Sequence, residues 1–381
     1  MKQIYLDYNA TTPIDPRVAE VMKPYLTEYF GNPSSNHSFG KETRQAVEFA
    51  RSQIAAVLHC KPNEIYFTSG GTESNNWAIK GAAYANRHKG NHIITSQIEH
   101  PAVIEVCRYL ELNGFYITYL PVDNNGFIDV QSIEKAVTPK TILISIMHAN
   151  NEVGTIQPIR EISEIAHKYD ILIHSDCAQS IGKIPVHTED LNADMFTIAG
   201  HKIYAPKGIG ALYIRSGIKL DKLIHGASQE RNLRAGTENI LEIVGLGKAF
   251  ELLNDYDWIS DDKLKKLRDH LEASLIEIFP SCRINGHKEF RLPNTSSISF
   301  KGLEANRIVS GLASKVAVSA GAACHSNTVK ISSVLDAMHV PLDYAMGTIR
   351  FSTGRFSTAE EIDQAVIEIK NVVNQLSNQK K

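Results

Sequence analysis

Six short runs of apolar, β-prone residues recur along the first two-thirds of the chain, at 64–68, 92–96, 116–120, 141–147, 171–175 and 195–198. Stretches of helical character separate them, at 44–58, 72–84, 102–112 and 159–169. This alternation constrains the fold more than any other feature. Strands that are apolar on both faces need cover on both faces, and the intervening helices supply it. The pattern therefore predicts an α/β fold with a mainly parallel sheet between helix layers. In such sheets ligands bind beyond the carboxyl ends of the strands, so chemistry is sought just after each apolar run.

The last third is patterned differently. A helical region over 237–279, broken near Tyr256, leads into short strands at 297–300, 316–319 and 348–352 and helices at 305–313 and 359–376. This reads as a smaller α+β domain. A chain of 381 residues has room for two or three domains. The expected division is a large domain over 14–255 and a small one built from 1–13 and 256–381.

The formal net charge is -2 and 22% of residues are charged, so no basic field argues for direct contact with nucleic acid. No stretch approaches the roughly 20 apolar residues of a membrane span, and residues 1–7 lack the apolar core of an export signal. A cytoplasmic protein is expected. The cysteines, Cys60, Cys107, Cys177, Cys282 and Cys324, are odd in number, widely spread and free of any C-x-x-C pair. Neither a disulfide framework nor a structural zinc site fits that pattern, and no metal is expected. Burial as inert thiols is the ordinary reading for the first four.

Several segments carry chemistry-bearing residues at the expected places. Thr68-Ser69-Gly70-Gly71-Thr72-Glu73 runs from a strand through two glycines into a helix. Free N–H groups at a helix start suit a phosphate, although an ordinary turn with Thr72 as N-cap reads the same way. Asp176 ends an apolar strand, where a carboxylate is costly to bury unless paired. It could pair with a protonated pyridine nitrogen or cap the following segment. Lys202 lies 26 residues later, after another strand, where a lysine near an anion site can form a Schiff base. Phosphate cradle, acidic partner and lysine stand in the order that pyridoxal phosphate (PLP) requires. His100 follows a strand and could stack on a ring or shuttle a proton. Cys324 lies in the small-residue run Ser319-Ala320-Gly321-Ala322-Ala323-Cys324, beside His325, and is a candidate reactive thiolate. Arg350 and Arg355 flank a short strand, and the guanidinium fork suits a substrate carboxylate.

Taken together, Tyr5-Leu6-Asp7-Tyr8-Asn9-Ala10-Thr11-Thr12-Pro13, Gly31-Asn32-Pro33-Ser34-Ser35, Thr68 to Asn76, Gly200-His201-Lys202-Ile203-Tyr204 and Arg234-Ala235-Gly236-Thr237-Glu238-Asn239 resemble the NifS/IscS class of cysteine desulfurases. The resemblance implies the fold type I architecture of PLP-dependent transferases, with a seven-stranded type of sheet, and a homodimer. It implies that Lys202 holds PLP, that Asp176 pairs with the pyridine nitrogen, and that Gln179 and Asn151 sit near the phenolic oxygen. His100 would stack on the ring. Gly71, Thr72 and His201 would hold the phosphate, with Thr237 reaching in from the partner subunit. Arg350, with Asn151, would bind the substrate, and Cys324 would carry the persulfide on its way to an acceptor protein.

One position departs from the family. A serine usually stands three residues before the lysine, and this chain has Ala199. One charge-assisted hydrogen bond is lost there, worth roughly 1.5–3 kcal/mol. That departure and the run Gly321-Ala322-Ala323-Cys324-His325-Ser326 resemble the selenocysteine lyase branch. L-cysteine and L-selenocysteine both stand as expected substrates, with sulfur or selenium as the group released. An aminotransferase or β-lyase on the same fold, with Cys324 incidental, is the alternative enzyme. A non-catalytic relay protein is the alternative of another class, and the intact Lys202, Asp176 and Arg350 argue against it.

Overall fold

The structure, a computed structural model, describes residues 3–254, 262–325 and 328–379, and of 322–325 and 328–330 the backbone only. A two-residue strand, β1 (Ile4–Tyr5), opens the chain. The central sheet follows: β2 (Ile65–Thr68), β3 (His92–Ser96), β4 (Tyr116–Leu120), β5 (Thr141–Ser145), β6 (Leu172–Asp176), β7 (Met195–Ala199) and β8 (Gly210–Ile214). Their order is β2-β8-β7-β6-β5-β3-β4, and β8 alone runs against its neighbours. The sheet is thus mainly parallel, as the alternation predicts.

Side chains of these strands divide between two apolar clusters, one on each face. Phe67, Ile94, Ile144, Phe196, Ile198 and Tyr213 pack on one side. Tyr66, Ile93, Leu143, Met195, Leu212 and Ile214 pack on the other. This period-two division between two dry faces is why the strands read as continuous apolar runs rather than alternating ones. Helices Ser38–Leu58, Ile159–Lys168 and Ile240–Asn254 cover the first face, and Gly71–Ala85 and Pro101–Glu111 the second.

The other strands are β9 (Arg283–Asn285), β10 (Thr295–Ser299), β11 (Val316–Ala317), β12 (Ser319–Ala320), β13 (Ala322–His325), β14 (Thr328–Ile331) and β15 (Thr348–Ser352). A second sheet has the order β12-β15-β10-β9, and β13 pairs with β14 as a hairpin. Helices Lys263–Ile278, Ala305–Leu312 and Ala359–Asn378 pack on that sheet around Phe351, Ile349 and Ile298. Ile4 and Leu6 join the same cluster, and β1 pairs in parallel with β11.

Three readings of the sequence change in detail. The strand expected over 316–319 is two strands, because β11 pairs with β1 while β12 pairs with β15. The helical region expected from Thr237 begins at Ile240 and ends at Ile278, and its break near Tyr256 falls outside the described residues. The helix after Gly70 starts at Gly71 with no side-chain cap, so Thr72 is in its first turn rather than at the N-cap. Among the described residues no helix is long and apolar enough to cross a membrane.

Candidate active site

The carboxyl ends of the parallel strands open into one cavity of about 440 Å³. Its lining includes Gly71 and Thr72 after β2, His100 after β3, Asn151 after β5, Asp176 and Gln179 at the end of β6, and His201 and Lys202 after β7. Arg350 completes it from β15. Residues more than 270 positions apart in the chain are thereby gathered in one volume, of a size that suits a small molecule. Thr237 is exposed and does not line this cavity. The side chain of Cys324 lies outside the described residues; its backbone pairs with Val329 across the β13–β14 hairpin.

At the β2 end, Gly70 has φ 145 and ψ -177, a conformation that L side chains rarely adopt. Close approach enforces the next glycine pairing: a side chain on Gly210 would stand 2.7 Å from the Cα of Gly70. The turn so formed presents the uncapped N-terminus of helix Gly71–Ala85 to the cavity, and Gly71 and Thr72 line it. Its N–H groups have no partner within the helix and favour an anion. Ala199 places its methyl group against this turn, 3.3 Å from where a Cβ on Gly71 would sit.

Asp176 is buried, with 6% exposure. Asn75 Nδ2 donates to its Oδ2 at 2.7 Å, and the N–H of Ala178 donates to its Oδ1 at 3.0 Å. Both partners are neutral, and among the described residues no cation hydrogen-bonds to Asp176. Nearby Glu99 accepts from Ser96 Oγ at 2.6 Å and from the Met147 N–H at 3.0 Å, and burial pushes its pKa up to about 8. Glu99 is therefore mostly neutral at pH 7.

His100 caps helix Pro101–Glu111: its Nδ1 accepts from the Ala102 N–H at 3.1 Å. Burial lowers its pKa, with the Lys202 charge acting the same way and Asp176 opposing. A neutral imidazole that accepts at Nδ1 carries its proton on Nε2. His201 is held down to about 4 by burial and then by Lys202 and Lys207, so it too is neutral. Its Nδ1 lies 3.2 Å from Thr11 Oγ1.

Lys202 Nζ donates to the carbonyl oxygens of Asn9 and Ala10 at 2.6 and 2.7 Å. Burial, and then the Arg350 charge, bring its pKa down to about 8. A fraction of the amine is thus unprotonated near neutral pH, as a nucleophile or base requires. By contrast, burial drives the thiols of Cys60, Cys107 and Cys177 up to about 12, and they are not nucleophiles at neutral pH.

Sequence reading missed the residues that brace these groups. Asn75 holds Asp176. Asn9 receives Lys202 on its carbonyl and Lys183 Nζ on its Oδ1 at 2.9 Å. Buried Lys183 also donates to Gln179 Oε1, which leaves Gln179 Nε2 as the donor end of that amide, bonded to the Asn9 carbonyl at 2.9 Å. Asn9 stands inside the N-terminal motif and Asn75 inside the helix after the glycine turn, so both motifs carried a signal. A lysine such as Lys183 reads as a surface residue in sequence and carried none. Asn151 meets its neighbours through its carbonyl, which accepts from Asn9 Nδ2 and Arg350 Nη1 at 3.1 Å each.

An open α/β sheet thus gathers a lysine, a carboxylate and an uncapped helix start at its strand ends. The sequence profile described as aminotransferase class-V matches residues 4–365. The chain is 50% identical over 376 residues to a cysteine desulfurase IscS of Dictyoglomus turgidum, spanning 98% of this chain and 95% of that one. Among solved structures, a NifS-like protein superposes with a TM-score of 0.92 at 39% identity, covering 98% of this chain and all of the other. The protein SspA in complex with cysteine gives a TM-score of 0.82 at 38% identity over 93% of this chain and 100% of that one. The chain belongs to the class-V aminotransferase family and, within it, to the cysteine desulfurases.

Proposed function

We propose that this protein converts L-cysteine to L-alanine and passes the sulfur to Cys324 as a persulfide, with PLP as cofactor. The observation that carries this reading is the conjunction in one cavity of Lys202 with a lowered pKa, Arg350, and a buried Asp176 without a cationic partner. The residues fit the cofactor by charge and by donor type. A pyridinium N–H would give Asp176 the cation it lacks. The uncapped N-terminus at Gly71 and Thr72, with His201, would take the phosphate. Lys202 would hold the aldehyde carbon through Nζ, and the Gln179 amide would donate to the phenolic oxygen. Thr237 would act from the partner subunit of a homodimer. When bound, PLP supplies an electron sink for the electrons released at the substrate Cα.

Each side chain then has a defined task. Arg350 binds the substrate carboxylate and so orients Cα toward Lys202. Lys202 Nζ, as an unprotonated amine, would accept the Cα proton. His100, neutral with its proton on Nε2, stacks beside the reacting atoms without adding a charge that would compete with Asp176. The Cys324 thiolate attacks the substrate sulfur; the S–S bond forms as the Cβ–S bond breaks, the electron pair left on Cβ takes a proton, and return of a proton from Lys202 to Cα gives alanine. The relatives named cysteine desulfurase and the neighbour bound to cysteine favour sulfur over selenium as the natural cargo.

Purified holoenzyme given L-cysteine and a thiol reductant should form alanine and sulfide in equal amounts. The variant Cys324→Ala should lose persulfide formation while keeping its cofactor absorbance. Pyruvate in place of alanine, or full sulfur release by Cys324→Ala, would overturn the reading.

A further inference from the structure

Arg350 is already engaged within the protein. Its Nη2 donates to Asp7 Oδ1 at 2.8 Å and to Ser319 Oγ at 3.1 Å. Ser319 Oγ donates in turn to the same Asp7 oxygen at 2.9 Å, and Nη1 donates to the Asn151 carbonyl at 3.1 Å. The Nε is buried and has no hydrogen-bond partner. A guanidinium offers a carboxylate two edges, Nε with Nη2 and Nη1 with Nη2, and both edges pass through Nη2. Asp7 Oδ1 and Ser319 Oγ both accept from Nη2 and touch each other. A two-point grip on a substrate carboxylate uses Nη2 as well, so the substrate competes with the acceptors already there. Asp7 is the partner that matches the substrate in chemistry, a carboxylate on the same fork, and it is the more exposed of the ion pair, at 18% against 11%.

We propose that Asp7 is a positioning residue that stands in for the substrate carboxylate: it holds Arg350 in the resting enzyme and yields it when an amino acid binds. The proposal rests on Arg350 as the carboxylate site of the function given above. Asp7 keeps the guanidinium aimed and its charge neutralised between turnovers, and it competes with every carboxylate that enters. Ser319 opens β12, which leads through Gly321 into the β13 strand that carries Cys324. Its hydroxyl contacts both members of the pair, so the exchange alters hydrogen bonding at the base of the cysteine hairpin.

The test compares wild-type and Asp7→Asn holoenzyme. Asparagine keeps the size of the side chain and its acceptor oxygen, and removes the competing charge. The KM for L-cysteine should fall roughly three- to tenfold without a rise in kcat. The dissociation constants of L-alanine and 3-mercaptopropionate, measured by calorimetry, should fall by a similar factor. That of cysteamine, which has no carboxylate, should not move. Constants for the two carboxylates that stay level or rise, or an equal shift for cysteamine, would overturn the proposal. Should the variant fail to fold, a crystal structure of wild-type holoenzyme with L-alanine decides: Asp7 should have left Arg350 Nη2, and an intact ion pair beside the bound ligand refutes the exchange. Absence of alanine formation by the wild type would sink the functional reading instead, since the calorimetric comparison needs no turnover.

Discussion

The two walls of the cavity are built in opposite ways. The wall at the ends of β2, β3, β6 and β7 is rigid and electrically unfinished. Every residue of β2, β3, β5, β7 and β8 is buried, the hydrogen-bond partners of Asp176 among the described residues are neutral, and the helix start at Gly71 has no side-chain cap. The wall at β15 is electrically paired: Arg350 has an anion, a hydroxyl and a carbonyl, and only its Nε has no hydrogen-bond partner. The difference matches two kinds of occupant. A cofactor that stays for the life of the enzyme can be given a site whose vacancies it alone fills. A substrate that enters and leaves at each turnover needs a site that is stable without it, which calls for an internal partner that can be displaced.

Substitutions on the two walls should therefore fail differently. In the proposed mechanism, Lys202→Ala would remove both the covalent hold on the cofactor and the proton acceptor. Alanine formation should drop by roughly a thousandfold or more, with the loss in kcat. Arg350→Gln removes one charge-assisted pair at the substrate end. It should raise the KM for L-cysteine by roughly ten- to a hundredfold and leave cofactor absorbance intact. Steady-state kinetics with absorbance spectra separate the two patterns. A loss of bound cofactor in Arg350→Gln would break the division between the walls.

The walls are nonetheless coupled through charge. Lys202 has its pKa brought down to about 8, first by burial and then by Arg350. Only the unprotonated amine can react with the cofactor aldehyde, so uptake of PLP by the apoprotein should accelerate as pH rises through about 8 and then level off. Taking away the positive charge in Arg350→Gln relieves one of the two effects that disfavour protonation. The midpoint should then move to higher pH. Rates of absorbance change measured across the pH range check this, and a midpoint near the ordinary lysine value in the wild type would remove the basis for the lowered pKa.

The difference between the walls also explains what the sequence disclosed. The strand-end residues were legible because β2, β3, β5, β6 and β7 are apolar on both faces, and their ends mark where chemistry must lie. Lys202, Asp176 and the glycine turn then followed in order along the chain. β8 was missed because its short run, Gly210-Ala211-Leu212-Tyr213-Ile214, follows a turn rich in glycine and proline and looks like its continuation. The 316–319 strand misled because a local pattern cannot show that its two halves pair with different partners. Asp7 was hidden for the same reason: its role exists only through a contact with a residue 343 positions away. Lys183 is buried by Asn9 and Gln179, and no local periodicity reports such burial.

The smallest effect concerns the one place where the unfinished wall lacks a family group. Ala199 ends β7 and lines the cavity beside the helix start proposed to take the phosphate, with its methyl group against Gly71. A hydroxyl at this position would face the same volume that the helix N-terminus and His201 border. Ala199→Ser should therefore add one donor to the phosphate, worth at most about 1.5–3 kcal/mol and less if a water already serves there. Roughly tenfold tighter retention of PLP is expected, read as slower loss of cofactor absorbance on dialysis. The KM for L-cysteine should stay unchanged, because Arg350 and Asp7 belong to the other wall. A shift in KM without a change in cofactor retention would show that position 199 acts on the substrate, and the separation of the two walls would have to be redrawn there.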